Sequence, residues 1–110
     1  MSDLPLFVIN KKILNAVPMT ANITSEIVDV AEVSGFAVHA IWTGAPVGNI
    51  DVCGSNDGVN FVSINTQATA GTSGQLLLNE EMQHYRYMWV EYAFTSGTGS
   101  LTCYVSAKRS

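Results

Sequence analysis

The sequence predicts an all-β domain, an antiparallel β-sandwich of about seven or eight short strands. Three observations support this prediction: apolar and polar residues alternate near the end of the chain, turn residues recur between short apolar runs, and no convincing long helix is present. A chain of 110 residues is long enough for one core. Jelly-roll or Greek-key connections would be expected in such a sandwich.

The segment 1–20 is predicted to be an N-terminal arm or edge strand, followed by a sandwich domain over 21–110. Pro5 fixes its own φ and restricts Leu4, so Leu4–Ile9 is expected to be extended. An edge strand of the sandwich and an arm lying on a neighbouring subunit both fit this pattern. The edge strand is favoured because chain termini are often tied down as strands.

Three strands are predicted in the first half of the sandwich domain. Asn22–Val30 and Asn49–Gly54 have the composition of half-buried strands. Phe36–Trp42 is a nearly continuous apolar run, which is typical of a central strand covered on both faces. A loop with proline and glycine over 43–48 separates the last two strands.

The strongest local turn signal lies in Ser55–Asn60. Its Asp-Gly pair at 57–58 suits the positive-φ positions of a tight hairpin. Strands are predicted to follow at Phe61–Ile64 and Gln75–Leu78. A single helical turn, capped by Asn79, is then expected over 79–84.

The last third of the chain is predicted to form a β-hairpin between Tyr85–Phe94 and Leu101–Lys108, with a turn at Thr95–Ser100. The second of these strands alternates cleanly between an apolar and a polar face. The first strand is apolar on both faces. Its predicted core face consists of Met88, Val90, Tyr92 and Phe94. Its other face, which needs cover from the second sheet's rim or from another protein, consists of Tyr85, Tyr87 and Trp89.

Composition and charge exclude several classes of function. Charged residues make up 13% of the chain, about half the usual ~25%. A surface partly hidden by a partner and a surface that is simply rich in Ser and Thr both explain this value. The net charge of −4 argues against binding nucleic acid through phosphate neutralisation. No apolar stretch approaches the ~20 residues of a membrane span, and the absence of a signal-peptide pattern predicts synthesis in a cytosol.

The sequence offers little for catalysis or for a cofactor. The two histidines, His39 and His84, are the candidate bases, and no motif joins them to Cys53 or Cys103. We therefore expect a protein that is not an enzyme and that has no cofactor. The cysteines could close a disulfide loop of 50 residues (103 − 53), but cytosolic synthesis favours free thiols.

A calcium site near the Asp-Gly turn is the one metal site to consider. Asp51, Asp57 and Asn60 supply oxygen atoms there, but their spacing matches no known calcium loop. Turn chemistry explains the same residues and is the favoured interpretation.

Aromatic side chains are the remaining candidates for a binding surface. They could stack against sugar rings, anchor a protein interface, or belong to the core. The residues concerned are Trp42, Tyr85, Tyr87, Trp89, Tyr92 and Tyr104.

Four segments together carry a resemblance to a known family: Ile23–Asp29, Gly54–Phe61, Tyr85–Tyr92 and Thr95–Leu101. In these segments the chain resembles the capsid decoration proteins of tailed bacteriophages, which are also called cement or staple proteins. The resemblance extends over Ile23–Lys108. The Ser-Asn-Asp-Gly turn followed by an aromatic residue also occurs in discoidin-like carbohydrate modules.

The resemblance implies a structural protein of the virion that is synthesised in the cytoplasm of the host bacterium and binds the outer surface of an icosahedral capsid. Such a protein clamps neighbouring copies of the major capsid protein together and can also pair with itself as a homodimer across a two-fold axis. The expected contact residues are Phe7, Ile9, Lys11, Lys12, Tyr87 and Trp89. The alternatives are a carbohydrate-binding sandwich on a phage fibre or other host-recognition structure, and a subunit of the tail or connector.

Overall fold

The computed structural model describes residues 6–31, 33, 35–81 and 85–109, and these form two antiparallel β-sheets without a helix. The first sheet has the strand order β1-β9-β4-β7, and the second has the order β2-β8-β5-β6, with β3 also paired to β8. The strands are β1 (Leu6–Pro18), β2 (Ile23–Thr24), β3 (Val28–Asp29), β4 (Gly35–Gly44), β5 (Val47–Ser55), β6 (Val62–Ala68), β7 (Gly74–Glu81), β8 (Tyr87–Ser96) and β9 (Gly99–Arg109).

β2 and β3 are two pieces of one interrupted strand, because both lie antiparallel along β8. Ser25 lies in the interruption: its backbone N–H donates to Val90 O at 2.8 Å, and its hydroxyl accepts from Val90 N at 2.9 Å. Counting β2 and β3 together gives eight strands in the connectivity of a jelly roll. The predicted all-β sandwich is therefore confirmed.

The core lies between the two sheets and is built from alternate residues of their central strands. In β9 every residue of the predicted apolar face is buried: Leu101, Cys103, Val105 and Ala107. In β8 the inward residues Met88, Val90 and Tyr92 are buried as predicted, but Phe94 is 37% exposed. Phe94 lies two residues beyond Tyr92, the last residue of β8 that pairs with β2.

The prediction that 36–42 is covered on both faces is wrong. In β4 only alternate residues are buried, and the outward-facing Ala37, His39 and Ile41 are half-buried. Each sheet of a two-layer sandwich has one face on the core and one face on the outside. The apolar run therefore predicted burial on both faces of a strand that is buried on one face only.

The predicted hairpin between the last two long strands is also wrong, because β8 and β9 belong to different sheets. β8 pairs with β5, and β9 pairs with β4 and β1. Both strands have broad apolar faces, and these faces meet across the core instead of lying side by side. The connection between them is held against the β4–β5 loop, where Ala45 N donates to Thr98 O at 2.8 Å.

The predicted helical turn after residue 78 is wrong within the described residues. Asn79 and Glu80 continue β7, where they lie opposite Ala37 and Phe36 of β4. A single helical turn makes few hydrogen bonds for the residues it orders, whereas the extended chain completes a ladder with β4. Residues 82–84 of the predicted turn lie outside the described part of the chain.

β1 lies along β9 at one edge of the first sheet, with three shifts in register. The shift between Lys12 and Leu14 leaves Ile13 without a paired residue on β9, and Ile13 and Leu14 are both buried. The sequence left two alternatives for this segment, an edge strand and an external arm. In the structure β1 forms its backbone hydrogen bonds with β9 of the same chain.

Candidate interaction surfaces

The outer face of the second sheet carries an aromatic pair, Trp89 and Phe61. Trp89 points outward from β8, and Phe61 lies in the loop before β6. Their rings stack with centroids 3.8 Å apart and an interplanar angle of 9°. The indole N–H of Trp89 donates to Glu91 Oε2 at 2.6 Å. Trp89 is thus fixed in position by one ring contact and one hydrogen bond, a rigid geometry suited to an anchor residue.

Tyr87 lies on the same face, one position before the buried Met88. The Arg86 guanidinium lies 5.1 Å from the centre of the Tyr87 ring, and Arg86 also pairs with Asp29 at 3.5 Å. The edge of the Tyr87 ring faces Gly58, and a Cβ added at Gly58 would lie 3.4 Å from Cε2 of that ring. The β5–β6 loop therefore covers part of the face that the sequence predicted to need cover.

The β5–β6 loop is organised by the carboxylate of Asp57. Oδ1 accepts hydrogen bonds from the backbone N–H groups of Val59 and Asn60, each at 2.8 Å, and Oδ2 accepts from the Asn60 side-chain amide at 2.8 Å. The Ser55 hydroxyl donates a further hydrogen bond to Asp57 Oδ1 at 2.9 Å. These bonds to the ionised form, led by those from the Asn60 and Val59 backbone, hold the pKa of Asp57 well below its usual range.

This geometry supports the turn interpretation of Asp57 and corrects its detail. Gly58 has a positive φ of 75°, as predicted, but Asp57 does not. The connection spans residues 56–61 between β5 and β6, longer than a tight two-residue hairpin.

Two carboxylates lie at the centre of the same face. Asp51 of β5 is directly opposite Glu91 of β8, an arrangement of like charges that costs stability in a sheet. Asp51 Oδ1 is buried without a hydrogen-bond partner. Cys53 lies on this face too, opposite Trp89, and is buried. Its burial, with contributions from Glu91 and Asp51, raises the pKa of the Cys53 thiol to about 12, so the thiol is uncharged at neutral pH.

Sequence reasoning missed this combination of aromatic and acidic groups. The signal available was spacing: Asp51 and Cys53 are two apart, as are Trp89 and Glu91, so each pair must share a face of its strand. Which strands were neighbours, and therefore that the two pairs met, required the sheet order.

The outer face of the first sheet has a different character. A row of directly opposed residues crosses all four strands and consists of Lys12, Tyr104, His39 and Leu77. The Lys12 ammonium lies 5.4 Å from the Tyr104 ring centre, and the Tyr104 and His39 rings are 6.2 Å apart. His39 Nε2 forms a hydrogen bond with Gln75 Oε1 at 2.9 Å. Apart from Leu77, the side chains of this row are polar or aromatic, and none of them is a carboxylate.

The expected contact residues divide between these two faces. Tyr87 and Trp89 lie on the outer face of the second sheet, and Lys12 lies on the outer face of the first. Lys11 pairs with Glu26 at 2.6 Å, across the side of the sandwich that joins β1 to the second sheet. The side chains of Phe7 and Ile9 lie outside the described part of the structure. The roles of all six residues stay predictions.

Tyr85 does not belong to the outward face to which the sequence assigned it. It precedes the first residue of β8, and a bend at Arg86 separates it from the strand alternation. The Tyr85 ring packs against Phe36 of the core, with centroids 6.2 Å apart at 77°. Burial, followed by the charge of Glu80, raises the pKa of Tyr85.

The groups that catalysis would need are not assembled among the described residues. Cys53 and His39 lie on the outer faces of opposite sheets, and Cys103 points into the core. Both cysteines are free. In the described ranges no three His, Cys, Asp or Glu side chains lie close enough together to hold a metal ion. His84 lies outside those ranges.

No protein-family model and no curated protein sequence matches the chain. In the residues described, there is no helix of the length and hydrophobicity needed to cross a membrane. Solved structures do match the chain, at low sequence identity.

The SPBc2 prophage-derived protein YomS is 11% identical in sequence and superposes with a TM-score of 0.66, covering 96% of this chain and 97% of that one. A protein of the disulfide-linked pili described as Bacillus endospore appendages, also 11% identical, gives 0.55, covering 100% and 95%. A chain of infectious bursal disease virus, strain Gx, again 11% identical, gives 0.56; the match covers 98% of this chain but only 33% of the viral chain. At such low identity these matches establish a shared fold, that of the two-sheet β-sandwich.

Proposed function

We propose that this protein is a capsid decoration protein, a non-enzymatic component of the virion that binds the outer surface of an icosahedral phage shell and clamps neighbouring subunits of the major capsid protein. The observation that carries the proposal is the pair of separate outer faces. One presents the rigid Trp89–Phe61 stack, and the other presents the Lys12–Tyr104–His39 row. A clamp needs two contact surfaces on different sides of one rigid body, so that each can engage a different subunit.

Two further facts support the proposal. Jelly rolls are a common architecture of viral capsid domains, and the fold is shared with a prophage-derived protein and a viral chain. The chain also resembles the staple protein of Salmonella phage epsilon-15 in size and pattern. Repetition over the shell would turn many modest contacts into a large stabilisation, because each bound clamp favours the assembled state.

The proposal is tested on expanded shells of the phage that carries this gene, prepared without the protein. Added protein should bind the shells and raise their thermal rupture temperature. Trp89→Ala should raise the dissociation constant for the shells about thirtyfold, because truncating an aromatic anchor typically costs about 2 kcal/mol of binding. Phe94→Ala is the matched control, since Phe94 is a partly exposed aromatic residue at the end of the sandwich. Absence of binding, or binding without a shift in rupture temperature, would refute the clamp.

A carbohydrate-binding module is the second candidate. It is favoured by the carboxylates beside Trp89, in particular by the buried Asp51 Oδ1 that has no hydrogen-bond partner, because sugar sites combine aromatic faces with a few convergent polar groups. Binding on a glycan array that Trp89→Ala abolishes, together with no affinity for shells, would establish this function instead. Imaging of labelled virions separates a capsid position from one in the tail or connector.

A further inference from the structure

The four edges of the two sheets differ in how they are protected against pairing with another strand. Proteins protect edge strands with short length, lysine, proline or β-bulges. β1 contains Lys11, Lys12 and Pro18 and has three register shifts. β2 and β3 are two residues each. β6 has a bulge, because Val52 and Cys53 are opposite Asn65 and Ser63, which leaves Ile64 unpaired.

β7 has none of these protections. It is eight residues long and pairs with β4 without any shift in register. It contains no lysine or proline, and its only charges, Glu80 and Glu81, are at its end. Leu77, at its centre, points outward and is 60% exposed, whereas Leu76 and Leu78 are half-buried against the rim of the core. The free edge of β7 therefore combines a regular backbone with three leucines.

We propose that this edge binds a second copy of the chain, with the two β7 strands antiparallel and the two-fold axis at Leu77. The strand is self-complementary in that register. Leu77 lies opposite Leu77 on the outer face, Leu76 lies opposite Leu78 on the core side, and Gln75 lies opposite Asn79. The two four-stranded sheets then join into one sheet of eight strands. Such a contact satisfies the free backbone groups of both edges and covers the leucines.

The charges select this edge for contact between identical copies. A two-fold axis at Leu77 places Glu80 opposite Gly74 and Glu81 opposite Ser73, so no like charges meet. The same operation at the midpoint of β1 would place Lys12 opposite Lys12, an unfavourable pair. In a two-fold symmetric contact each interaction between different residues occurs twice, so the surface must be complementary to itself.

The mass of the isolated protein in solution tests this inference independently of the capsid. Sedimentation equilibrium should give a concentration-dependent mass that approaches twice 11.8 kDa. Leu77→Glu should raise the dimer dissociation constant at least tenfold, because it places two carboxylates opposite each other. Val62→Glu is the control: it makes the same exchange at a residue that is 70% exposed on the other sheet's edge, and it should leave the constant unchanged. Circular dichroism checks that both variants fold.

The register is tested by cross-linking. Directly opposed residues in an antiparallel pair have Cα atoms about 4.5–5.5 Å apart, within the range that a disulfide spans. Leu77→Cys should therefore cross-link to itself under mild oxidation, whereas Asn79→Cys alone should not. A mixture of the Asn79→Cys and Gln75→Cys chains should cross-link, and the native cysteines should not interfere because both are buried.

A monomer at all concentrations, or a dimer that Leu77→Glu leaves intact, overturns the inference. A chain that is monomeric alone but loses shell binding on Leu77→Glu would indicate that a strand of the capsid protein occupies the β7 edge. That result would also refute the proposal that a second copy binds there. A dimer that behaves as expected but binds no shell would leave the self-association standing and refute the clamp alone.

Discussion

At the scale of single residues, Asp57 has an influence well beyond its own position. Its carboxylate accepts three hydrogen bonds from donors of the β5–β6 loop. That loop ends at Phe61, which stacks on Trp89, and it places Gly58 against Tyr87. One acidic side chain therefore holds the shape of the cover over both aromatic residues of the proposed contact face.

The pH dependence of stability should reveal this role. The hydrogen bonds lower the pKa of Asp57 in the folded protein, so the loop stabilises the fold while the carboxylate is ionised. The contribution is complete above the ordinary Asp pKa of about 4 and is lost as the pH falls further. The difference in unfolding free energy between wild type and Asp57→Asn, measured with urea, should therefore be largest at pH 7 and smaller at pH 2.5. An equal difference at both pH values would contradict the assignment.

The turn at Asp57 was predictable because it depends on neighbouring residues alone. The Trp89–Phe61 stack was not, since it joins a strand to a loop that is distant in the sequence. Tyr85 shows a third case. The alternation of its segment placed it outward, but a bend at Arg86 ends the alternation before Tyr85, and no property of the sequence marks that bend.

At the scale of elements, the predictable features were strand composition and the inward face of each strand, and the pairing partners were not. Leu101, Cys103, Val105 and Ala107 identify the buried face of β9 by alternation alone, because alternation follows from strand geometry. A short Gly-rich connection between two apolar strands ordinarily indicates a hairpin. In this chain the connection between β8 and β9 crosses from one sheet to the other. Which strands pair depends on the partners available to every strand, and a short segment of sequence does not contain that information.

Two glycine substitutions test this crossing. Gly97 has a φ of 88°, and an added Cβ would collide with the carbonyl oxygen of Ala45 in the β4–β5 loop. Gly58 also has a positive φ, but its Cβ would make only an ordinary contact with Tyr87. Gly58→Ala should lower the free energy of unfolding by about 1–2 kcal/mol, the cost of positive φ. Gly97→Ala should cost about 3 kcal/mol or more, because overpacking adds to that cost.

The comparison is made by chemical denaturation of both variants. If the two substitutions cost the same, the β8–β9 connection is not packed against the β4–β5 loop, and a local hairpin would again be the better description.

At the scale of the whole molecule, the two sheets share one core and should unfold together. The chain has two tryptophans, one in each sheet: Trp42 in β4 and Trp89 in β8. Trp42→Phe and Trp89→Phe each leave one fluorescent reporter. Denaturant transitions followed by the remaining tryptophan should coincide with the loss of circular dichroism in the same variant, as expected for a two-state domain. Separate transitions would show that the sheets are independent units.

The position of β9 between β1 and β4 has a consequence for synthesis on the ribosome. β1 leaves the ribosome first, yet its partner β9 is the last strand to emerge, and β8 likewise separates β2 from β5. The second sheet cannot close until β8 is free as far as Ser96, and the first cannot close until β9 is free as far as Arg109. At roughly 5–20 residues per second, the early strands spend several seconds with their apolar faces open to water. Exposed apolar faces on the early strands make this interval the one in which the chain is most prone to aggregate.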